Sequence, residues 1–182
     1  FWQTYHRMTE RKGVTMQIAK IEMRRRLSLI GSLLVHKGDA DGLICGTWGQ
    51  TSMHLNYIDQ VIGKRTGVKT YAAMTGLILP GRTVNILDTH INYDPTAEQI
   101  AEITIMAAEE MMRFGQRPKA ALLSHSNFGS SDAPSALKMR KVLELVRAQD
   151  PVPQGRRAAI VTDTARARQL YVSKNPADLE IF

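Results

Sequence analysis

Apolar residues recur at helical spacing over residues 15–36, at Ile18, Ile21, Leu29 and Leu33, with Arg and Lys set between them. The pattern predicts one amphipathic helix that ends at Gly38. The next apolar run, DGLIC at 41–45, is short and bounded by turn residues, as a buried strand would be. Cys45 at its end reads as a small buried hydrophobe rather than a nucleophile. The run opens into GTWGQTS, a loop of small and hydroxyl residues, which leads to a helical pattern over 53–62.

Two further strand patterns, TYAAMTGLILP and RTVNILDT, flank Pro80 and Gly81, a turn pair suited to a hairpin or a short connection. The clearest helix follows. Asp94 stands as its N-cap and Pro95 at the first helical position; Ile100, Ile103, Ala107 and Met111 share a face, and Gly115 closes it. KAALLSH, at 119–125, reads as a buried strand, joined by a serine-rich loop to a helix over 134–148. Strand, loop and helix thus recur, which predicts an α/β layer architecture with ligands outside the carboxyl ends of the strands. The hydroxyl-rich loops at 46–52 and 124–131 occupy that position. Beyond Asp150 two prolines, a basic pair and weak periodicity predict no packing, and no internal repeat is visible.

Composition narrows the partners. The chain has 182 residues, 43% hydrophobic and 23% charged, the balance of a soluble globular protein. Its apolar stretches fall short of the roughly 18 residues of a spanning helix, so no membrane partner is expected. One cysteine excludes an intrachain disulfide framework, and the first residues lack a signal peptide's apolar core, so a cytoplasmic location is expected. A start at Phe1 rather than Met fits a segment of something longer. The net charge of +7 favours anionic partners. Nucleic acid is not among them, because the densest basic run, Arg24 to Arg26, would be spread around a helix and little aromatic interleaving accompanies it.

Candidate chemistry follows from these loops. Ser124, Ser126, Ser130 and Ser131, with Asn127 and Gly129, precede a helix, where successive N–H groups can hold a phosphate or carboxylate. Neither a Walker lysine nor a nucleophile elbow is present, and ordinary caps and turns use the same residue types, so both readings stand. GDADG at 38–42 lacks the ligands of a calcium loop. His6, His36, His54, His90 and His125 show no metal-ligand spacing, so no bound metal is expected. Asp88, His90 and Asp94 in LDTHINYDP could serve acid/base chemistry but lack a nucleophile and read first as a solvated loop with a helix cap.

Taken together, GDADGLICGTWGQTS, NYDPTAEQIAEITIMAAEEMMRFGQRPKAALLSHSNFGS and SALKMRKVLELVRAQDP resemble, in order, the phosphate acetyltransferase and butyryltransferase family. Within it, LLSHSNFGS and ICGT are similar to the C-terminal phosphotransacetylase-like module of multimodular NADP-dependent malic enzymes. The resemblance covers residues 1–151 as an internal, incomplete part of that module; residues 152–182 form an atypical tail that does not align. It implies a partial α/β domain of phosphotransacetylase-like fold, related to the isocitrate and isopropylmalate dehydrogenase architecture, with a cleft for CoA and acyl phosphate. The implied acyl-CoA or phosphate contacts are Gly46, Thr47, Thr51, Asn56, Ser124, Ser126, Gly129 and Ser130.

Two departures qualify the implied activity. Active transferases of the family carry an Arg-Pro pair where this chain has Asn56 and Tyr57, and an amide supplies no positive charge for phosphate. The family's catalytic Ser-Arg and Asp fall in a later segment, so no catalytic residue is assigned here. The resemblance therefore implies first a regulatory module that binds acetyl-CoA within a homo-oligomeric malic enzyme, with NADP and a divalent metal held only in the malic enzyme domain. A phosphate acetyltransferase is the alternative; a third is an oligomerisation module using the Ile/Met-rich helix over 96–114.

Overall fold

The structure, a computed structural model, describes residues 1–124, 126, 130–149 and 159–161. The chain divides into two compact units, Phe1–Val68 and Lys69–Phe182.

The first unit is helical: α1 (Trp2–Thr9), a 3-10 turn (Glu10–Lys12), α2 (Met16–Arg25), α3 (Leu27–Lys37) and α4 (Thr51–Val61). Thr15 caps α2 by accepting from the Ile18 amide at 3.2 Å. The single helix expected over 15–36 is two, because Arg26 turns out of helical conformation (φ −115°, ψ 91°). Its N–H ends α2 on the Glu22 carbonyl, while its own carbonyl accepts from Leu29 and Ile30 to begin α3. The break folds α3 against α4. Gly38, in the left-handed region at φ 78°, closes α3 as expected.

Leu29 and Leu33 are wholly buried in the core with Tyr5, Ala19, Tyr57 and Val61. Full burial of each leucine contributes about 1.5–3 kcal/mol. Beside this core lies a short polar chain. Tyr57 donates to Glu22 Oε2, which also receives Arg26 Nε at 3.4 Å. Burial first, and then that bond to Glu22, push the Tyr57 phenol up to about 12.

The segment 41–45 is not a strand. No strand lies in this unit to receive its backbone hydrogen bonds, and a strand exists only by pairing. Leu43 packs at Gly31, where an added Cβ would come 2.4 Å from Leu43 Cδ1. Ile44 is fully exposed, and Cys45, expected to be buried, is exposed as well.

The second unit begins with the expected hairpin. Strands β1 (Met74–Leu79) and β2 (Arg82–Leu87) pair antiparallel from Met74↔Leu87 to Leu79↔Arg82 across Pro80 and Gly81. Gly81 takes φ 76°. Helix α5 (Ala97–Arg113) starts at Thr96 rather than Asp94: Thr96 Oγ1 accepts from the Gln99 amide while Gln99 returns the bond to the Thr96 N–H. This reciprocal box satisfies two otherwise unpaired donors. Asp94 instead pairs with Lys138 at 2.5 Å. At the other end the Gly115 amide donates to Met112 and the Gln116 amide to Met111, a left-handed glycine stop.

Strand β3 (Lys119–Ala121) is shorter than expected, and His125 at the end of the predicted run lies outside the described residues. Helix α6 (Pro134–Gln149) follows, and β4 (Ala159–Val161) pairs parallel with β3. This strand falls in the tail to which the sequence assigned no packing. Ala97, Ala101, Leu122, Val142 and Val146 form the core between α5 and its neighbours. Within the unit, Ile103 of α5 is buried, and Ile100 and Ile105 pack on that core. Across α5 and α6, Lys141 bonds Glu98 at 2.7 Å and holds its carboxyl down to about 2. Glu102 accepts from the Lys69 amide at 2.9 Å. Burial opposes ionisation of Glu102, but bonds from Thr70 and the Lys69 and Thr70 amides keep its carboxyl below the usual range.

Candidate functional site

The first loop, residues 46–50, links the extended segment to α4 and is exposed throughout. Gly46 and Gly49 take φ 114° and 99°, a region that costs other residues dearly. At Gly49 a Cβ would meet Met53 Cε at 2.6 Å, so the free end of that flexible side chain would have to shift. Thr47 is exposed beside them. Thr51 opens α4, and Gln50 before it provides no side-chain cap. The Met53 and His54 amides turn back to the Gln50 carbonyl, while those of Thr51 and Ser52 have no partner among the described residues. No acidic side chain occupies this first turn. Two unpaired N–H groups at the positive end of an 11-residue helix favour an anion.

Gly46, Thr47 and Thr51 therefore belong to one loop and helix entrance. Asn56 does not join them. Five residues of helix carry it about 7.5 Å along α4 and about 140° around it. There it is exposed, and its Oδ1 accepts from Gln60 at 3.1 Å. Gln60 in turn accepts from the Tyr5 hydroxyl at 2.8 Å, so Asn56 ends a structural chain.

The second loop is held differently. Ser124 is half-buried and Ser126 buried; Ser130 is exposed, and Gly129 lies outside the described residues. Ser124 Oγ accepts from the Ser126 amide at 3.3 Å, and Ser126 Oγ from the Ser131 amide at 3.3 Å. Ser131 Oγ accepts from the Ala133 amide at 3.2 Å, ahead of the first turn of α6. Three hydroxyls thus serve the loop's own backbone, as in the turns serine favours. Arg140, on α6, reaches back to the Ser131 carbonyl at 2.5 Å and to Asp132 at 3.2 Å.

Sequence reasoning missed three groups at these loops: Arg140, His54 and Ser28. The basic pattern LKMRK announces a cationic helix without showing that Arg140 turns toward the serines. His54 bonds the Trp48 carbonyl and the Ser28 hydroxyl, partners 6 and 26 positions away that no short motif links. Elsewhere, Asp88 (φ 52°) accepts from the Ala73 and Asn92 amides, and so organises the 88–94 loop rather than a catalytic group.

Comparison with known proteins gives these loops a context. The family model for phosphate acetyl/butaryl transferase matches residues 1–155. An NADP-dependent malic enzyme of Haemophilus influenzae is 51% identical over 150 residues, covering 82% of this chain and 20% of that protein. A phosphate acetyltransferase of Synechocystis is 30% identical over 149 residues, covering 82% of this chain and 21% of that protein. Among solved structures, the EutD phosphotransacetylase from Staphylococcus aureus matches with TM-score 0.73 and 25% identity, over 89% of this chain and 48% of its own. The chain thus spans about a fifth of the length of these curated relatives and about half of that solved chain.

Proposed function

Because the chain belongs to the phosphate acetyl/butaryl transferase family, we propose that it is the phosphotransacetylase-like module of an NADP-dependent malic enzyme, and that it binds acetyl-CoA as a regulatory ligand. The contrast in identity carries this reading: 51% to a malic enzyme against 30% to a phosphate acetyltransferase over nearly equal lengths. The whole enzyme would oxidatively decarboxylate malate to pyruvate. NADP and a divalent metal would be held in its malic enzyme portion, outside this chain.

In this module, Gly46, Thr47 and Thr51 of the first loop contact the acyl, pantetheine or phosphate parts of the ligand, as do Ser124, Ser126, Gly129 and Ser130 of the second. The fit rests on the unpaired N–H groups at the α4 entrance. Asn56 supports regulation over transfer, since its side chain bonds Gln60 and brings no cation to a phosphate. The complete architecture is related to that of isocitrate and isopropylmalate dehydrogenases, in a cytoplasmic homo-oligomer.

A second reading, a phosphate acetyltransferase, draws on the uncapped N-terminus of α4, which suits phosphate. There a CoA thiolate would attack the acetyl phosphate carbonyl; the C–S bond forms, the C–O bond to phosphate breaks, and donors stabilise the oxyanion between. One assay separates the two: the intact enzyme is tested for acetyl transfer, and for malate oxidation with and without acetyl-CoA. Regulation predicts a shift in malate oxidation matching a coupling of about 1–3 kcal/mol. Robust transfer together with acetyl-CoA-insensitive malate oxidation would overturn it.

A further inference from the structure

His54 is the fourth residue of α4, and both its ring nitrogens are engaged outside that helix. Nε2 lies 2.9 Å from the Trp48 carbonyl oxygen, and Nδ1 lies 2.5 Å from Ser28 Oγ on α3. A carbonyl only accepts, so Nε2 carries the hydrogen; in the neutral ring Nδ1 is then a bare lone pair, and the Ser28 hydroxyl donates to it. A single neutral tautomer satisfies both bonds.

The two ends of this bridge differ in rigidity. Ser28 is buried beside wholly buried Leu29, and its carbonyl accepts the Ser32 hydroxyl at 2.8 Å. The loop end has no such support. Residues 44–50 are exposed, and Trp48 has no other hydrogen bond among the described residues. A Cβ at Gly49 would stand 3.5 Å from His54 Nε2, in ordinary van der Waals contact, so the ring lies against the backbone of the loop.

We infer that His54 is a positioning residue: bridged to Ser28, it holds the 46–50 loop by the Trp48 carbonyl and keeps the Thr51 and Ser52 amides uncovered for the acyl-CoA ligand. The inference rests on the acetyl-CoA reading above. It acts in two ways. A glycine-hinged loop fixed before binding loses less freedom on binding, and a carbonyl already bonded to Nε2–H repels an anion less.

The test uses the full chain with Trp2→Phe, which leaves Trp48 as its single indole. His54→Ala removes both bonds, and Ser28→Ala removes the anchor. His54→Gln puts an amide donor near the Nε2 position. Imidazole nitrogen NMR of the unmutated side chain should show protonated Nε2 and bare Nδ1. Trp48 anisotropy decay should reveal more loop motion in His54→Ala and Ser28→Ala, restored in His54→Gln. Calorimetric titration with acetyl-CoA should weaken about tenfold in His54→Ala and stay within about threefold in His54→Gln, with helical circular dichroism unchanged. A mixed tautomer, unaltered loop motion in both alanine variants, or equal affinity in folded His54→Ala would overturn the inference. A fixed Trp48 and the Nε2–H tautomer without any binding of acetyl-CoA would uphold the clamp and overturn the acetyl-CoA reading.

Discussion

The two serine- and threonine-bearing loops look alike in sequence and are built on opposite principles. The 46–50 loop is paired in its backbone only at Gln50, whose carbonyl receives the Met53 and His54 amides, and otherwise depends on neighbours: Ser28 through His54, and the α3–α4 core beneath. The second loop is knit by its own hydroxyls, Ser124 to Ser126, Ser126 to Ser131 and Ser131 to Ala133. A hydroxyl that organises a loop is already occupied on its acceptor side, whereas an unpaired helix amide is not. The same residue types are therefore used differently: the first loop leaves helix N–H groups unpaired, while the second spends its hydroxyl oxygens on its own backbone.

This comparison makes the first loop sensitive to distant changes and the second to local ones. Leu33→Ala, in the wholly buried core under α3, should destabilise by about 2–5 kcal/mol. Chemical denaturation followed by tryptophan fluorescence measures it, because Trp2 and Trp48 both lie in the first unit. Tyr57→Phe, which takes the donor from Glu22, should cost about 1.5–3 kcal/mol. With the folded phenol raised to about 12, that contribution is complete below the unfolded value of about 10 and disappears as pH rises through 12. Denaturation midpoints of wild type and Tyr57→Phe should therefore converge across that window.

Gly49→Ala should destabilise by about 1–2 kcal/mol from backbone conformation alone, and beyond that where the new Cβ meets Met53. Gly46→Ala, with open space around it, should show the conformational part only, so the difference between their melting temperatures isolates the contact. Ser126→Ala should give the smallest effect, about 1 kcal/mol, confined to amide exchange at Ser131 and its neighbours. Equal, loop-limited responses to Leu33→Ala and Ser126→Ala would abolish the distinction between the two loops.

Features set by local chemistry were legible in the sequence. The hairpin, the glycine stops at Gly38 and Gly115, and the existence of α5 and α6 all follow from neighbouring residues. Asp94 misled because Pro95 after it resembles a helix start, yet the reciprocal bonds of Thr96 and Gln99 begin the helix two residues later. The failure at 41–45 has another origin. An apolar run states that a segment can be a strand, while pairing depends on what stands beside it, and the first unit contains only helices for it to meet. Of the site, the loops and their hydroxyls could be read, but not that Asn56 points away from the entrance or that His54 ties it down. Those depend on helix rotation and on a contact spanning 26 residues.

The β3–β4 pair has a consequence for the order of events during synthesis. Lys119 pairs with Ala159, 40 positions on (159 − 119), so β3 leaves the ribosome well before its partner exists. At roughly 5–20 residues per second, that delay is about 2–8 s. Helices form within microseconds, so α5 and α6 can close on each other first while the edge of β3 still waits. Translation that pauses before Ala159 would leave this unit with its helices joined and one strand edge open to the wrong neighbour.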